Sequence, residues 1–94
     1  LSTPELNWKL AEGEPHRLIT ELQRSAQFPG ANEIIRLDGM RVEYKDGFGL
    51  ARASNTTPVI VLRFEADDAG VLERIQADFR RVLRPAKPDA PLPF

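Results

Sequence analysis

Near the start of the chain Leu6, Trp8 and Leu10 alternate with Glu5, Asn7 and Lys9. A period of two marks a strand with one buried face, here over Glu5 to Ala11. Gly13-Glu14-Pro15 breaks the alternation, and proline suits the first turn of a helix, where its missing N–H costs nothing. Leu18, Ile19, Leu22 and Ala26 then recur at helical spacing, with Arg17, Thr20, Glu21 and Arg24 on the other side. The spacing predicts a helix from about Glu14 to Gln27, ended by Phe28-Pro29-Gly30.

Short strands follow. Glu33 to Leu37 reads as one. After the turn signal Asp38-Gly39, Met40 to Lys45 alternates, with Val42 and Tyr44 inward and Arg41, Glu43 and Lys45 outward. Asp46-Gly47 is the dipeptide of a tight hairpin, where glycine accepts a positive φ. Phe48 to Ala53 continues as a strand, with Phe48, Leu50 and Arg52 on one face. Val59 to Ala66 carries the strongest strand pattern: Ile60, Leu62, Phe64 and Ala66 on one face, Val59, Val61, Arg63 and Glu65 on the other.

Asp67-Asp68 supplies an N-cap and negative charge for a second helix. Its stripe is Val71, Leu72, Ile75, Phe79, Val82 and Leu83. From Pro85 the chain reads PAKPDAPLPF, with four of its eight prolines in ten residues. Residues 1–84 are therefore expected to form one domain and residues 85–94 an extended tail, whose Leu92 and Phe94 are free to dock. The order β-α-β(4)-α, with one apolar face per strand, predicts an α+β fold: an antiparallel sheet with two helices packed on one face, TBP-like in topology.

Charge and composition narrow the function. Thirteen basic and 14 acidic residues give a net charge of −1, and no basic block stands out, so a nucleic-acid partner is not expected. There is no cysteine and one histidine, which excludes disulfides, thiolate chemistry and two-histidine metal sites. No apolar run nears the ~20 residues of a membrane span. The chain opens on Leu1 and its only methionine is Met40; the expectation is a piece of a larger cytoplasmic protein.

The densest polar chemistry is Arg52-Ala53-Ser54-Asn55-Thr56-Thr57-Pro58, between two predicted strands. Such residues build turns. They also suit an anion: arginine offers a planar fork matching two phosphate oxygens, and hydroxyls, an amide and loop N–H groups add neutral donors. Asn55-Thr56-Thr57 fits a glycosylation sequon and is set aside, since three-residue matches are frequent by chance. His16 reads as a solvated first-turn residue, Asp38 and Asp46 as turn formers, and Arg63 as one half of a cross-strand ion pair.

The segment DGMRVEYKDGFGLARASNTTPVIVLRFEA resembles the C-terminal, fourth domain of the α-D-phosphohexomutase family. The specific motif is R-x-S-N-T-x-P, here Arg52 to Pro58; Asp38 to Val42 and the FEA-ending strand also fit. The resemblance extends over nearly the whole chain. It is strongest to the bacterial bifunctional phosphomannomutase/phosphoglucomutase branch, where threonine stands at position 57 in place of the glutamate of many relatives. Phe48 departs from an expected tryptophan.

The resemblance implies an isomerase of four domains around a cleft. A phosphoserine in the first domain exchanges phosphoryl groups with glucose or mannose 1- and 6-phosphates through a bisphosphorylated sugar, and Mg²⁺ sits in the second. This domain would bind the non-transferred phosphate through Arg52, Ala53, Ser54, Asn55 and Thr56 and close the cleft. It would contribute no catalytic residue and no metal ligand, and alone it would be inactive. A reading from another class is a free-standing interaction module using the exposed sheet face for a protein partner.

Overall fold

The computed structural model describes residues 1–94. Its elements run β1 (Leu6–Lys9), α1 (Glu14–Ser25), β2 (Glu33–Ile35), β3 (Met40–Tyr44), β4 (Gly47–Ala53), β5 (Val59–Ala66) and α2 (Ala69–Ala86). The strands form one sheet in the order β1-β5-β4-β3-β2, and every neighbouring pair is antiparallel. This is the α+β architecture that the residue pattern implies.

Register divides the sheet into two faces. Met40 lies opposite Ala51, Ala51 opposite Leu62 and Leu62 opposite Leu6, so these residues line the helix side. Trp8, Met40, Val42, Ala51, Ile60, Leu62, Ile75, Phe79 and Leu83 are fully buried there. The opposite face is open and carries Asn7, Lys9, Arg41, Glu43, Phe48, Leu50, Arg52, Val61, Arg63 and Glu65. No buried side-chain nitrogen or oxygen lacks a hydrogen bond.

Several element ends differ from those the sequence suggests. Helix α1 stops at Ser25; Ala26 is extended at φ −68° and ψ 138°, which delivers Phe28 into the core 5.0 Å from the Phe79 ring. Strand β2 ends at Ile35, because Arg36 is drawn to α1: its Nε donates to the Gln23 carbonyl at 2.6 Å, and Gln23 Nε2 donates back to the Arg36 carbonyl at 3.0 Å. Helix α2 runs through Pro85 to Ala86, two residues beyond the expected tail boundary, and Lys87 N–H closes the last turn on Leu83 O at 3.3 Å. A proline this near a helix end forfeits one backbone bond without breaking the helix behind it.

The segment after α2 folds back on the domain. Trp8 Nε1 donates to Ala90 O at 3.2 Å, Phe94 packs 4.9 Å from the Phe64 ring, and Arg80 Nε donates to Phe94 O at 3.3 Å. Asp68 caps α2, its Oδ1 accepting from Val71 N–H at 2.9 Å. Asp46-Gly47 does form the β3–β4 hairpin, but Gly47 has no positive φ. Glycine is needed there for space: a Cβ would lie 2.9 Å from both Ala66 Cα and Ile75 Cδ1.

Two surface ion pairs tie separate segments together and a third lies along α2. Arg74 bonds Asp46 at 2.5 Å, Lys87 bonds Glu14 at 2.9 Å and Arg80 bonds Glu73 at 2.7 Å. Each bond holds its carboxyl below the usual carboxylate range. A carboxyl with a lowered folded pKa contributes stability above its unfolded value, near pH 4, and loses it as pH falls through the folded value. Thermal melts should therefore show the melting temperature falling as the pH drops below about 4. Arg74→Gln should flatten part of that slope; an identical slope in the variant would remove Asp46 from the acid response.

Candidate functional site

The site is built at one end of β4 and β5. Arg52 is the penultimate residue of β4 and lies opposite Val61, which fixes its side chain to the open face of the sheet. Ser54 N–H donates to Val59 O at 3.0 Å and Val59 N–H to Thr57 O at 2.8 Å, so the two strands meet across a closed loop. Leu10 N–H donates to Pro58 O at 2.9 Å and anchors the loop to the end of β1.

Ser54 organises the loop from within. Its Oγ accepts from Thr56 N–H at 3.2 Å, from Thr57 N–H at 3.3 Å and from Thr57 Oγ1 at 3.2 Å. Two successive backbone N–H groups thus converge on one oxygen, the arrangement that makes a concave anion-binding nest. The bonds are long for this class of contact, so a stronger acceptor could take the same donors. Asn55, Thr56 and Thr57 are exposed.

A cleft of about 330 Å³ opens beside the loop, bordered by Arg52, Ala53 and Asn55 and across from them by His16, Gln23 and Gly39. Gly39 has a φ of 126°, and a Cβ on it would sit 2.8 Å from Arg52 Cβ and 2.6 Å from Ala51 O. Glycine is the residue that lets this turn lie against the base of Arg52. Gln23 Nε2 fixes the turn by donating to Gly39 O at 2.8 Å. Asp38, at φ 56°, also lines the cleft and adds one carboxylate to it.

The structure thus brings Arg52, Ala53 and Asn55 to one cleft and turns Ser54 inward as the loop's internal acceptor. Thr56 presents its N–H to that oxygen. The Arg52 guanidinium stands 3.7 Å from Glu5, with side-chain exposures of 43% and 56%. Arg63, expected in a cross-strand pair, forms none. From sequence His16 reads as a solvated residue and Gly39 only as part of a turn, and Gln23 carries no signal; the fold brings all three to the cleft. His16 and Gln23 share one α1 face by their spacing of seven, but nothing local marks that face as lying over the end of β4.

These placements coincide with an independent likeness. Residues 5–82 match the phosphoglucomutase/phosphomannomutase C-terminal domain family. The chain belongs to this family. It is 60% identical over 84 residues to a phosphoglucomutase of Neisseria meningitidis, covering 88% of this chain and 18% of that protein. It is 51% identical over 94 residues to a phosphomannomutase/phosphoglucomutase of Pseudomonas aeruginosa, covering 100% of this chain and 20% of that one. The crystal structure of a phosphoglucomutase/phosphomannomutase family protein from Burkholderia thailandensis matches with a TM-score of 0.88 at 57% identity, over 100% of this chain and 19% of that chain. The chain therefore spans about a fifth of the length of these relatives. As a C-terminal domain of the family it has the R-x-S-N-T-x-P loop on the surface and no group of three or more metal-ligating His, Cys, Asp or Glu side chains. No helix is long and apolar enough to cross a membrane.

Proposed function

We propose that this chain is the substrate-phosphate-binding, cleft-closing C-terminal domain of a cytoplasmic phosphomannomutase/phosphoglucomutase. The parent enzyme would interconvert the 1- and 6-phosphates of glucose and mannose through a bisphosphorylated sugar. Phosphoserine and Mg²⁺ would be supplied by its other domains. The observation that carries this reading is the loop itself: a half-exposed arginine at a strand end, and two backbone N–H groups of the same loop gathered on the Ser54 hydroxyl.

Arg52, Ala53, Ser54, Asn55 and Thr56 would hold the phosphate that is not transferred. Arg52 offers the full charge and the bidentate geometry. The Thr56 and Thr57 N–H groups would exchange the Ser54 oxygen for a phosphate oxygen, and the released Ser54 hydroxyl would itself donate. A site of this kind accelerates nothing by chemistry; it fixes the sugar so that the reacting oxygen meets the phosphoryl donor. Because it reads phosphate and not the ring, it accepts either end of the bisphosphorylated sugar.

The test is a titration of the chain with glucose 1-phosphate followed by amide NMR. Alone, the domain lacks the sugar contacts of the other cleft walls, so a dissociation constant on the order of millimolar is expected. Shifts should concentrate on Ala53 to Thr57. Shifts confined to α2, or none at saturating ligand, would return the loop to a plain polar turn.

A further inference from the structure

Arg52 already faces an anion. Glu5 lies 3.7 Å from it, and both side chains are well solvated. That separation exceeds an N–H···O hydrogen bond, so the pair holds charge near charge while the directional capacity of the fork is unused.

The sheet offers Glu5 a second cation. Strand β1 pairs with β5 so that Leu6 meets Leu62 and Asn7 meets Val61. Glu5 precedes β1, and the next bridge, Ser2 to Glu65, is offset by one residue, so Pro4 and Glu5 together fall opposite Arg63. Arg63 is exposed and takes part in none of the seven ion pairs. Arg52 is one strand further away, opposite Val61. Glu5 thus lies beside the strand position of Arg63, with Arg52 one strand further away, and its carboxylate approaches Arg52. Opposite charges directly across a sheet attract, so both positions are available to one carboxylate.

Resting on the phosphate-binding reading above, we propose that Glu5 is the resident counter-ion of Arg52, that the substrate's phosphate displaces it, and that Arg63 receives the displaced carboxylate. The exchange selects for charge. A phosphate ester with two negative charges and three acceptor oxygens gains a bidentate pair that Glu5 does not make. A carboxylate ligand with one charge merely replaces one carboxylate by another. Arg63 keeps the released Glu5 from repelling the phosphate it made way for. Glu5 is thereby a specificity-determining residue that need not touch the sugar.

The test uses the chain itself, titrated separately with inorganic phosphate and with gluconate, with loop amides as the readout. Glu5→Gln should tighten phosphate binding by roughly two- to five-fold, the range of an exposed ion pair. It should also give gluconate a measurable affinity that the unmodified chain lacks. Arg63→Gln should weaken phosphate binding, and that loss should vanish in the Glu5→Gln background. Such coupling would not arise from two independent surface charges. Equal or weaker phosphate binding by Glu5→Gln overturns the exchange, as does an Arg63→Gln loss that persists without Glu5. If the unmodified chain shows no loop shifts with phosphate, the phosphate-binding reading falls and the exchange falls with it. If it does respond, and Arg52→Ala abolishes the response, a silent Glu5→Gln overturns the exchange alone.

Discussion

Replacing Arg52 by alanine is expected to weaken hexose-phosphate binding by roughly one to two decades. The estimate follows from losing a charge-assisted bidentate contact, with hydrogen bonds to charged groups worth about 1.5–3 kcal/mol. Arg52→Lys should recover only part of the loss, because it restores the charge without the fork. In the longer enzyme that we propose, kcat should fall together with kcat/KM, since the same phosphate orients the sugar and helps the cleft close. Ser54→Ala should be milder, yet it does more than delete a donor. It removes the oxygen on which Thr56 N–H, Thr57 N–H and Thr57 Oγ1 converge, so the loop should lose order as well as affinity. Titration and steady-state kinetics of the three variants, with melting temperatures as the control, measure this. Wild-type affinity and turnover in Arg52→Ala would end the phosphate assignment.

Arg52 also marks the line between what the sequence displays and what only the fold reveals. The strand and helix patterns are local, so Val59–Ala66 and the stripe of α2 are legible residue by residue. The R-x-S-N-T-x-P loop is legible for the same reason: its chemistry lies in seven consecutive positions. Glu5 lies 47 positions from Arg52, and its approach depends on strand order and on a diagonal across β5. Alternation alone gives Glu5 and Arg52 a face each, but it does not say that β1 and β4 both neighbour β5. The expected cross-strand pair of Arg63 does not form, because the carboxylate nearest to it across the sheet, Glu5, lies against Arg52. Gly47 is instructive in another way: the hairpin is where the dipeptide places it, but the glycine is there to admit Glu65, Ala66 and Ile75, which are distant in sequence. Phe94 was legible as an apolar tail residue, but not its seat on Phe64.

The second large effect concerns the centre of the sheet, which carries the site only while it stays packed against α2. Gly49 faces Val42 on one side and Phe64 on the other, and the Phe79 ring of α2 fills the space above it. A Cβ on Gly49 would lie 2.6 Å from Phe79 Cζ and 3.1 Å from Phe64 Cδ1. Phe79 is fully buried, set edge-on to Phe64 at 5.1 Å and tilted to Phe28 at 5.0 Å. It joins three elements and has no spare room in which to turn. Phe79→Ala should cost about 3–5 kcal/mol by opening a cavity beneath α2. For a domain this small, each kcal/mol lowers the melting temperature by roughly 4–8 °C, so the variant should be largely unfolded at ordinary growth temperatures. Gly49→Ala is the opposite error, overpacking, with an expected loss of about 1–3 kcal/mol. The pair should be strongly non-additive. In Gly49→Ala/Phe79→Ala the added methyl occupies part of the space the ring vacated, so the double variant should be more stable than the sum of the single losses. Denaturant melts of all four proteins measure the coupling. Additive losses would mean that Phe79 does not rest on Gly49, and that the glycine is there for some reason other than the ring above it.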